Sequence, residues 1–540
     1  MSEWSQKIKS VWHKKAADNK TSVPDSPDTS DQLANDTAVI RASLLFDEAW
    51  YRRTNGFGEY LDAAEHYLTV GWQKGLNPSP FFDNEEYLSL YPDVRQNGIN
   101  PLLHFELYGY GEGRYREQIE ARRRDIAAAY PAYCNDMTGG FVRLRITNAC
   151  NAKCRFCGVR NNFGAEREHA MEPKWYYEYL RPLYDRLHLI LITGGDAFVA
   201  AESYNFMRHI SEHYPKITLY TESNGIAFTD KFQDLAAQNL FKTHFSVNGS
   251  TAAVFARGCW EGEGGEAAYG KLMANIGHYV ELLKTRGLEC FAPSMSMVIN
   301  RDNCDDVVNF TRMALKYHAW YICFFFDYSE NDMSGEYFGY PEENRPVLKT
   351  LMEIERVLAG RVMFYFRLWI PTKEAEPMQK IVEAETWTEL RDKYRDLWEL
   401  SEGRSVEKEW RERNKLRRAQ GKHEFEFTED FAPAVRLSPR NDEVCYAPWS
   451  EIDLYPDGRL DFCGWFAPTL NFHDYLNGNF SENNEGFDWE PILNSYPFMA
   501  ARKRILHGDF RGCQVCCPMN SVKNPIVPIT KYGLDRTKIN

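Results

Sequence analysis

The sequence predicts an α/β protein in which helical repeats precede a parallel β/α array and a small hairpin-plus-helix domain follows it. Strand-like and helix-like segments alternate six times between residues 141 and 328, which is typical of a partial (β/α)6 barrel. Ahead of this region a pattern recurs with a period of 36 to 38 residues, and behind it a Pro-Asp-Gly turn separates two strand-like runs. The predicted boundaries are 1–37 for a disordered tail, 38–120 for the repeats, 121–372 for the barrel, 373–440 for a charged helical insertion and 441–540 for the last domain.

Composition narrows the function classes. The chain has 540 residues, 44% of them hydrophobic and 26% charged, which is the composition of a globular protein of several domains. The net charge of -13 argues against nucleic acid as a partner, since no basic domain stands out to neutralise phosphates. No apolar run of 18 residues or more and no apolar leader is present, so we expect a cytoplasmic protein without a transmembrane segment. Seven of the thirteen cysteines fall in clusters or ligand-like spacings, so in that compartment we expect reduced, metal-binding thiols in preference to disulfides.

The N-terminal repeat follows a Ser-, Asp- and Pro-rich stretch that cannot bury enough apolar surface to order itself. Phe46–Tyr51 recurs as Phe82–Tyr87, and His66–Gly75 recurs as His104–Gly113. Each unit predicts two short helices closed by glycine caps. The pattern resembles a small helical repeat found beside bacterial glycosyltransferase and cell-surface polysaccharide domains. That resemblance implies a partner in a glycosyltransferase pathway; a helical cap without a ligand is the alternative.

Six segments of the central region predict strands, and the chemistry of such barrels lies at the carboxyl ends of the strands. The predicted strands are Phe141–Thr147, His188–Thr193, Ile217–Thr221, His244–Asn248, Phe291–Ile299 and Trp320–Tyr328.

Three cysteines, Cys150, Cys154 and Cys157, follow the first predicted strand within eight residues. Closed zinc and iron–sulfur sites take four protein ligands, so a set of three is completed by a distant residue or leaves one metal position open. A zinc knuckle or buried structural thiols are the alternatives. The run resembles the signature loop of the radical S-adenosylmethionine (radical SAM) enzymes. The resemblance implies a [4Fe–4S] cluster whose fourth iron binds S-adenosylmethionine, with Phe156 near the adenine.

Further segments resemble the cosubstrate motifs of that family, in the family's order and at predicted strand ends. Thr193-Gly194-Gly195-Asp196 resembles the Gly-Gly-Glu motif, with Asp in place of Glu, and implies a carboxylate that receives the cosubstrate ammonium. Ser223-Asn224-Gly225 is similar to the Thr-Asn-Gly turn, although an ordinary Asn-Gly turn has the same residues. The remaining motifs imply polar contacts to the ribose and adenine from Ser246, Asn248, Ser294 and Ser296.

Residues 373–424 are dense in charge, with apolar residues at helical intervals, and predict a solvated helical insertion. A lid or a partner surface is the alternative.

A second set of thiols, the auxiliary cysteines, occupies the C-terminal region. Two flank the Pro-Asp-Gly hairpin and two follow as Cys-x2-Cys, which makes a four-ligand set that suits zinc or iron–sulfur by spacing. The region resembles the twitch and SPASM extensions of radical SAM enzymes, and the resemblance implies one auxiliary [4Fe–4S] cluster, with Cys517 as a spare ligand. The auxiliary cysteines are Cys445, Cys463, Cys513 and Cys516.

Together these resemblances imply a radical SAM oxidoreductase acting on a sugar, cyclitol or saccharide-linked substrate, supplied with electrons by a protein such as a flavodoxin or ferredoxin. A ribosomal-peptide maturase and a radical epimerase are alternatives within the enzyme class, and a non-catalytic iron–sulfur partner-binding protein is the alternative outside it. Candidate groups for returning a hydrogen atom or taking a proton are Cys323 and Asp327 on the sixth strand and Cys259 in a loop. Cys323 could equally be a small core residue.

Overall fold

The computed structural model describes residues 29–56, 61–157, 170–326, 345–367, 384–425, 447–462, 470–471 and 487–507. These residues fall into two compact units, and the chain passes from the first to the second after Ile126.

The first unit is helical. Asp47 and Asp83 accept hydrogen bonds from backbone N–H groups at the starts of equivalent helices, which is why both helices begin where they do. Its helices are Thr29–Ala42, Glu48–Asn55, Ala63–His66, Asn84–Leu90, Pro92–Gln96, Pro101–His104, Arg116–Ala121 and Arg123–Ala129, with wider π-helical turns at Tyr67–Gly71 and Phe105–Gly109 and a 3-10 turn at Trp72–Lys74.

The same buried contact occurs in both halves of this unit. Tyr51 Oη lies 2.9 Å from His66 Nδ1, and Tyr87 Oη lies 2.8 Å from His104 Nδ1. Each tyrosine packs over a glycine whose place no larger residue could take, because a Cβ there would lie 2.1 or 2.3 Å from the hydroxyl oxygen. These glycines are Gly71 and Gly109.

The second unit is built on one sheet of ten described strands. Its order is β10-β9-β8-β1-β2-β3-β4-β5-β6-β7, and neighbours from β8 through β1 to β7 run parallel. The α/β class with a central parallel sheet is therefore confirmed. The strands are β1 Phe141–Thr147, β2 Leu189–Gly194, β3 Thr218–Ser223, β4 Lys242–Ser246, β5 Ser294–Ile299, β6 Tyr321–Phe326, β7 Met363–Arg367, β8 Glu451–Leu454, β9 Arg459–Asp461 and β10 Leu470–Asn471.

Two parts of this sheet are absent from the sequence prediction. Met363–Arg367 adds a seventh parallel strand beside β6, and β8 pairs in parallel with β1, with Arg143 opposite Asp453. The predicted Pro-Asp-Gly hairpin joins β8 and β9 and therefore extends the main sheet. The hydrophobic pattern of a segment can identify a strand but does not tell which neighbouring strand it pairs with. The pairing of β7 with β6 and of β8 with β1 therefore could not be predicted from the sequence.

Helices cover one face of the sheet, where Val142, Leu144 and Ile146 of β1 join the main hydrophobic core. The helices of this unit are Ser203–His213, Asp230–Asn239, Ala252–Gly258, Gly265–Thr285, Val307–Lys316, Arg345–Leu358, Trp387–Lys393, Arg395–Leu400, Val406–Ala419, Ala447–Ser450, Glu490–Leu493 and Tyr496–Leu506, with π-helical or 3-10 turns at Pro131–Tyr133, Trp175–Tyr179, Arg181–Leu183, Glu289–Phe291 and Cys304–Asp306.

The opposite face of the sheet carries polar side chains on several strands and an apolar cluster of Phe141, Leu189 and Leu191 on β1 and β2. Strand alternation and the pairing register place one set of polar side chains there, and we call this set the polar face. The polar face consists of Arg143, Arg145, Glu222, His244, Ser246, Ser294, Ser296, Cys323 and Asp453.

The helix Val406–Ala419, in the segment predicted to be a solvated charged insertion, has one face in solvent and one face buried: Glu407, Lys408 and Arg411 are exposed. Arg413 and Arg417 are 7% and 0% exposed. Arg417 donates to Thr218 Oγ1 at 2.6 Å and to the His423 carbonyl oxygen at 2.6 Å. The helix therefore packs against the amino end of β3 through hydrogen-bonded arginines, which charge density in the sequence does not distinguish from solvated ones.

None of the described helices is both long and apolar enough to cross a membrane.

Candidate functional site

The candidate site starts at the loop after β1, residues 148–157, which we call the cysteine loop. Cys150 is exposed, and Cys154 and Cys157 are half-buried. Although part of Cys150 is exposed, the atoms packed around its sulfur displace water and raise the pKa of the thiol to about 12, and the nearby Asp196, Cys154 and Cys157 add to the rise. A thiol with such a pKa becomes a thiolate at neutral pH only when a cation binds it.

Gly194, the last residue of β2, and Gly195 after it pack against the end of β1 and the start of the cysteine loop. The Gly195 N–H donates to the Thr147 carbonyl oxygen at 2.6 Å. A Cβ on Gly195 would lie 2.1 Å from the Ala149 carbonyl oxygen, and a Cβ on Gly194 would lie 2.2 Å from that of Thr147. Gly194 also has φ +126°, a conformation that residues with side chains rarely adopt. Gly195 is therefore needed for close packing against the loop and Gly194 for close packing against the end of β1, while their contact with a cosubstrate ammonium stays a prediction.

Asp196, the carboxylate of the same motif, faces the interior and is 1% exposed. It accepts hydrogen bonds from Ser223 Oγ and the Asn224 N–H, both at 2.8 Å, and from the Phe198 N–H at 3.0 Å. Burial raises the pKa of Asp196, and these three donors oppose the rise. Its carboxylate therefore joins the turns after β2 and β3, and direct contact with an ammonium group stays a prediction.

Asn224 connects the turn after β3 to the cysteine loop. Its Nδ2 lies 3.4 Å from Cys150 Sγ and 2.9 Å from Asn151 Oδ1, and it donates to both. The Ala152 N–H donates to the same sulfur at 3.4 Å. Cys150 Sγ thus accepts two N–H donors, the arrangement that stabilises a thiolate.

The three thiols of the cysteine loop are a donor set that fits an iron–sulfur cluster. In a [4Fe–4S] cluster each cysteine binds a different iron, so three thiols spread around one loop are the suitable donor set. The N–H groups directed at Cys150 Sγ supply the outer hydrogen bonds that such clusters require.

Phe156 is half-buried and packs against the main core beside the cysteine loop. Ser246 ends β4 on the polar face, opposite Ser296 of β5. Ser246 therefore lies at the carboxyl end of a strand, and the contacts of Phe156 with adenine and of Ser246 with ribose stay predictions.

Ser294 and Ser296, expected to contact the cosubstrate, are hydrogen-bonded to a buried histidine that is not among the residues predicted from the sequence. Ser294 Oγ donates a hydrogen bond to the Thr243 carbonyl oxygen at 3.1 Å. It therefore accepts a hydrogen bond from the N–H of His244 Nδ1 at 2.9 Å. His244 Nε2 then accepts from Ser296 Oγ at 2.8 Å. Burial lowers the pKa of His244, which keeps the ring neutral. Strand alternation with Ser246 is the signal that could have identified it.

Cys323 lies on the polar face opposite Ser296 and is 1% exposed. Burial raises the pKa of its thiol well above the ordinary value, and the negative charge of Glu222 adds to this effect. The S–H bond is therefore retained at neutral pH. Glu222 is a second polar-face residue that the sequence patterns do not single out. Asp327 lies outside the described residues.

Buried ion pairs occupy the polar face at the β1–β8 edge. Arg143 donates to both carboxylate oxygens of Asp453, at 2.9 and 3.1 Å, and Arg145 donates to one of them at 3.1 Å. Burial lowers the pKa of Arg143, but Asp453 and Glu451 outweigh that effect and hold it well above its ordinary value. The interactions join β8 to β1 through charged groups that are themselves paired.

The other predicted thiols divide into two groups. Cys259 lies beside Cys154, with 3.4 Å between the two sulfur atoms. The auxiliary cysteines and Cys517 all lie outside the described residues, so the auxiliary cluster stays a prediction.

Part of the chain is similar to known proteins. Residues 144–279 match the family model described as Radical SAM superfamily. GTP 3′,8-cyclase of Campylobacter lari is 24% identical over 110 residues, and the match covers 20% of this chain and 34% of the cyclase. The enzyme of the same name from Campylobacter jejuni gives the same values. The matched segment thus spans about a third of the length of these relatives.

Among solved structures, SuiB of Streptococcus suis is 11% identical, with 82% of this chain and 86% of SuiB covered and a TM-score of 0.43. The structure of anSMEcpe with bound AdoMet is 14% identical, with 42% of this chain and 61% of anSMEcpe covered and a TM-score of 0.34.

Proposed function

We propose that this protein is a radical SAM enzyme that oxidises a sugar, cyclitol or saccharide-linked substrate, and the match of residues 144–279 to the Radical SAM superfamily model supports the enzyme class. The observation that carries the proposal is the cysteine loop itself, packed on Gly195 and hydrogen-bonded by Asn224 at the carboxyl ends of β1 to β3. When bound, the [4Fe–4S] cluster and S-adenosylmethionine supply a 5′-deoxyadenosyl radical that abstracts hydrogen from an unactivated carbon.

The polar face supports a polyhydroxylated substrate. It presents hydroxyl, imidazole and carboxylate groups from adjacent strands, among them Ser246, His244 and Glu222. Hydroxyl and imidazole groups both donate and accept hydrogen bonds and a carboxylate accepts them, so the set can pair with the hydroxyl groups of a saccharide. The resemblance of the N-terminal repeat to those of polysaccharide-biosynthesis proteins supports the same substrate class and a partner from a glycosyltransferase pathway.

Net oxidation of an alcohol requires that the substrate lose a proton and a second electron. His244 is neutral, is held by two serine hydroxyls and can accept a proton. The four auxiliary cysteines would hold an auxiliary cluster, which would serve as the acceptor for that electron, and a flavodoxin or ferredoxin would be the source of the reducing electron.

Two measurements test this proposal. Anaerobically reconstituted, reduced protein is first incubated with S-adenosylmethionine and assayed for 5′-deoxyadenosine. It is then supplied with sugar nucleotides, cyclitols and a control peptide in deuterated water, and the products are analysed by mass spectrometry.

The expected result is 5′-deoxyadenosine formation that increases with a saccharide or cyclitol and yields a product lacking two hydrogens. No 5′-deoxyadenosine under any condition would refute the enzyme class. Deuterium incorporated at an inverted carbon, and lost in Cys323→Ala, would show epimerisation instead, with the retained S–H of Cys323 as hydrogen donor.

A further inference from the structure

Cys259 is fully buried and lies against the cysteine loop. Its carbonyl oxygen accepts from the Arg155 N–H at 2.9 Å, and the neighbouring Glu261 N–H donates to the Lys153 carbonyl oxygen at 2.8 Å. These backbone bonds join the two segments side by side. As a result Cys259 Sγ lies 3.4 Å from Cys154 Sγ, within the range of a sulfur hydrogen bond.

The direction of this hydrogen bond follows from Asn248. The Val298 N–H donates to Asn248 Oδ1 at 2.8 Å, which assigns the other end of the amide as the NH2 group. That Nδ2 donates to Cys259 Sγ at 3.7 Å. Since the sulfur of Cys259 already accepts a donor, its S–H is available to donate to Cys154.

The surrounding backbone holds this arrangement in place. Asn248 is 2% exposed and has φ +60°, a left-handed conformation that asparagine tolerates better than most residues. The residue before Cys259, Gly258, packs so tightly that a Cβ would lie 2.8 Å from Asn303 Cβ, and its carbonyl oxygen accepts from Asn300 Nδ2 at 2.5 Å. Cys259 therefore has little freedom to point elsewhere.

We propose that Cys259 is a positioning residue for the cluster of the cysteine loop: its S–H donates to the Cys154 sulfur and raises the reduction potential of that cluster. This inference rests on the proposed function, in which Cys154 is a cluster ligand. Hydrogen bonds to a ligating sulfur withdraw negative charge and so favour the reduced cluster, which carries one more negative charge. Because Cys259 is excluded from water, the effect is not screened.

The same geometry argues against Cys259 as a hydrogen-atom donor to substrate. Its sulfur lies between Asn248 and Cys154, and the residue has no exposed surface in the described structure. Cys323 is buried to the same degree, at 1% exposed, but it lies on the polar face opposite Ser296 and not between Asn248 and Cys154.

The test compares three substitutions of Cys259 in the full-length, reconstituted protein without substrate. Cys259→Ala and Cys259→Val remove the donor, and valine also keeps most of the volume; Cys259→Ser keeps a hydroxyl donor. Cys290→Ala is the matched control. Cys290 is a half-buried cysteine just before the amino end of β5, whereas the cysteine loop follows the carboxyl end of β1. Iron content and the cluster midpoint potential, from an EPR-monitored redox titration, are measured for each.

We expect full iron content in all variants, a more negative potential in Cys259→Ala and Cys259→Val, and a potential at or near wild type in Cys259→Ser and Cys290→Ala. Loss of the cluster in both alanine and valine variants, with retention in the serine variant, would also support the hydrogen bond. A wild-type potential in an alanine or valine variant that holds its cluster would refute it, as would cluster loss in all three. If the wild-type loop cysteines bind no iron, the proposed function fails instead.

Discussion

Replacing Gly195 with alanine tests whether the glycine turn after β2 builds the cysteine loop or only contacts cosubstrate. The new Cβ would lie 2.1 Å from the Ala149 carbonyl oxygen and 2.5 Å from backbone atoms of Asn148. Since these are backbone atoms just ahead of Cys150, the loop must move by about 1 Å to restore van der Waals distance. Overpacking of this kind costs about 1–3 kcal/mol, and here the displacement falls on a cluster ligand.

We therefore expect Gly195→Ala to lose most of the iron and sulfide bound by the cysteine loop, before any cosubstrate is added, and to lose 5′-deoxyadenosine formation with it. Gly270→Ala is the matched control. Gly270 lies within the helix Gly265–Thr285, and a Cβ there meets nothing within 4 Å. Alanine at such a position stabilises a helix by about 0.5–1 kcal/mol, so the control should keep its cluster. A Gly195→Ala protein with full iron and only weakened cosubstrate binding would show that the turn acts by contact and refute the packing argument.

Three further predictions concern the thiols and a histidine. Changing the three loop cysteines to alanine should remove about four of an expected eight iron atoms per chain and abolish cosubstrate cleavage; an unchanged iron content would contradict the assignment. Replacing any one auxiliary cysteine should remove about four iron atoms and leave 5′-deoxyadenosine formation intact, whereas zinc in anaerobically isolated protein would contradict an iron–sulfur site. As the pH falls below about 6.5, His244→Gln should lose less thermal stability than the wild-type protein does. Burial lowers the pKa of His244, so the contribution of this residue to stability is complete above its pKa in the unfolded state and is lost as the pH falls towards its pKa in the folded state. If thermal stability varied with pH in the same way in the wild-type and His244→Gln proteins, the lowered pKa of His244 would be contradicted.

The local motifs are predictable because each depends on neighbours in sequence. Alternation of apolar residues identifies β1 to β6, and the spacing of Cys150, Cys154 and Cys157 is enough to predict a metal-binding loop. The Pro-Asp-Gly turn likewise predicts the β8–β9 hairpin, since its geometry follows from residues within the turn.

The environment of those motifs depends on residues that are distant in sequence, and only the tertiary structure decided it. Asp196 has the chemistry of a cosubstrate ligand, yet the turn after β3 supplies Ser223 and Asn224 as its partners. Cys259 reads in the sequence as a free thiol, but the fold aligns the segment after the helix Ala252–Gly258 with the cysteine loop and places Cys259 against Cys154, 105 residues earlier in the chain. The hydrogen bonds of Asp196 and Cys259 form between segments that meet at one edge of the sheet. The order of residues in the sequence does not tell which of these segments come within 3.5 Å of one another.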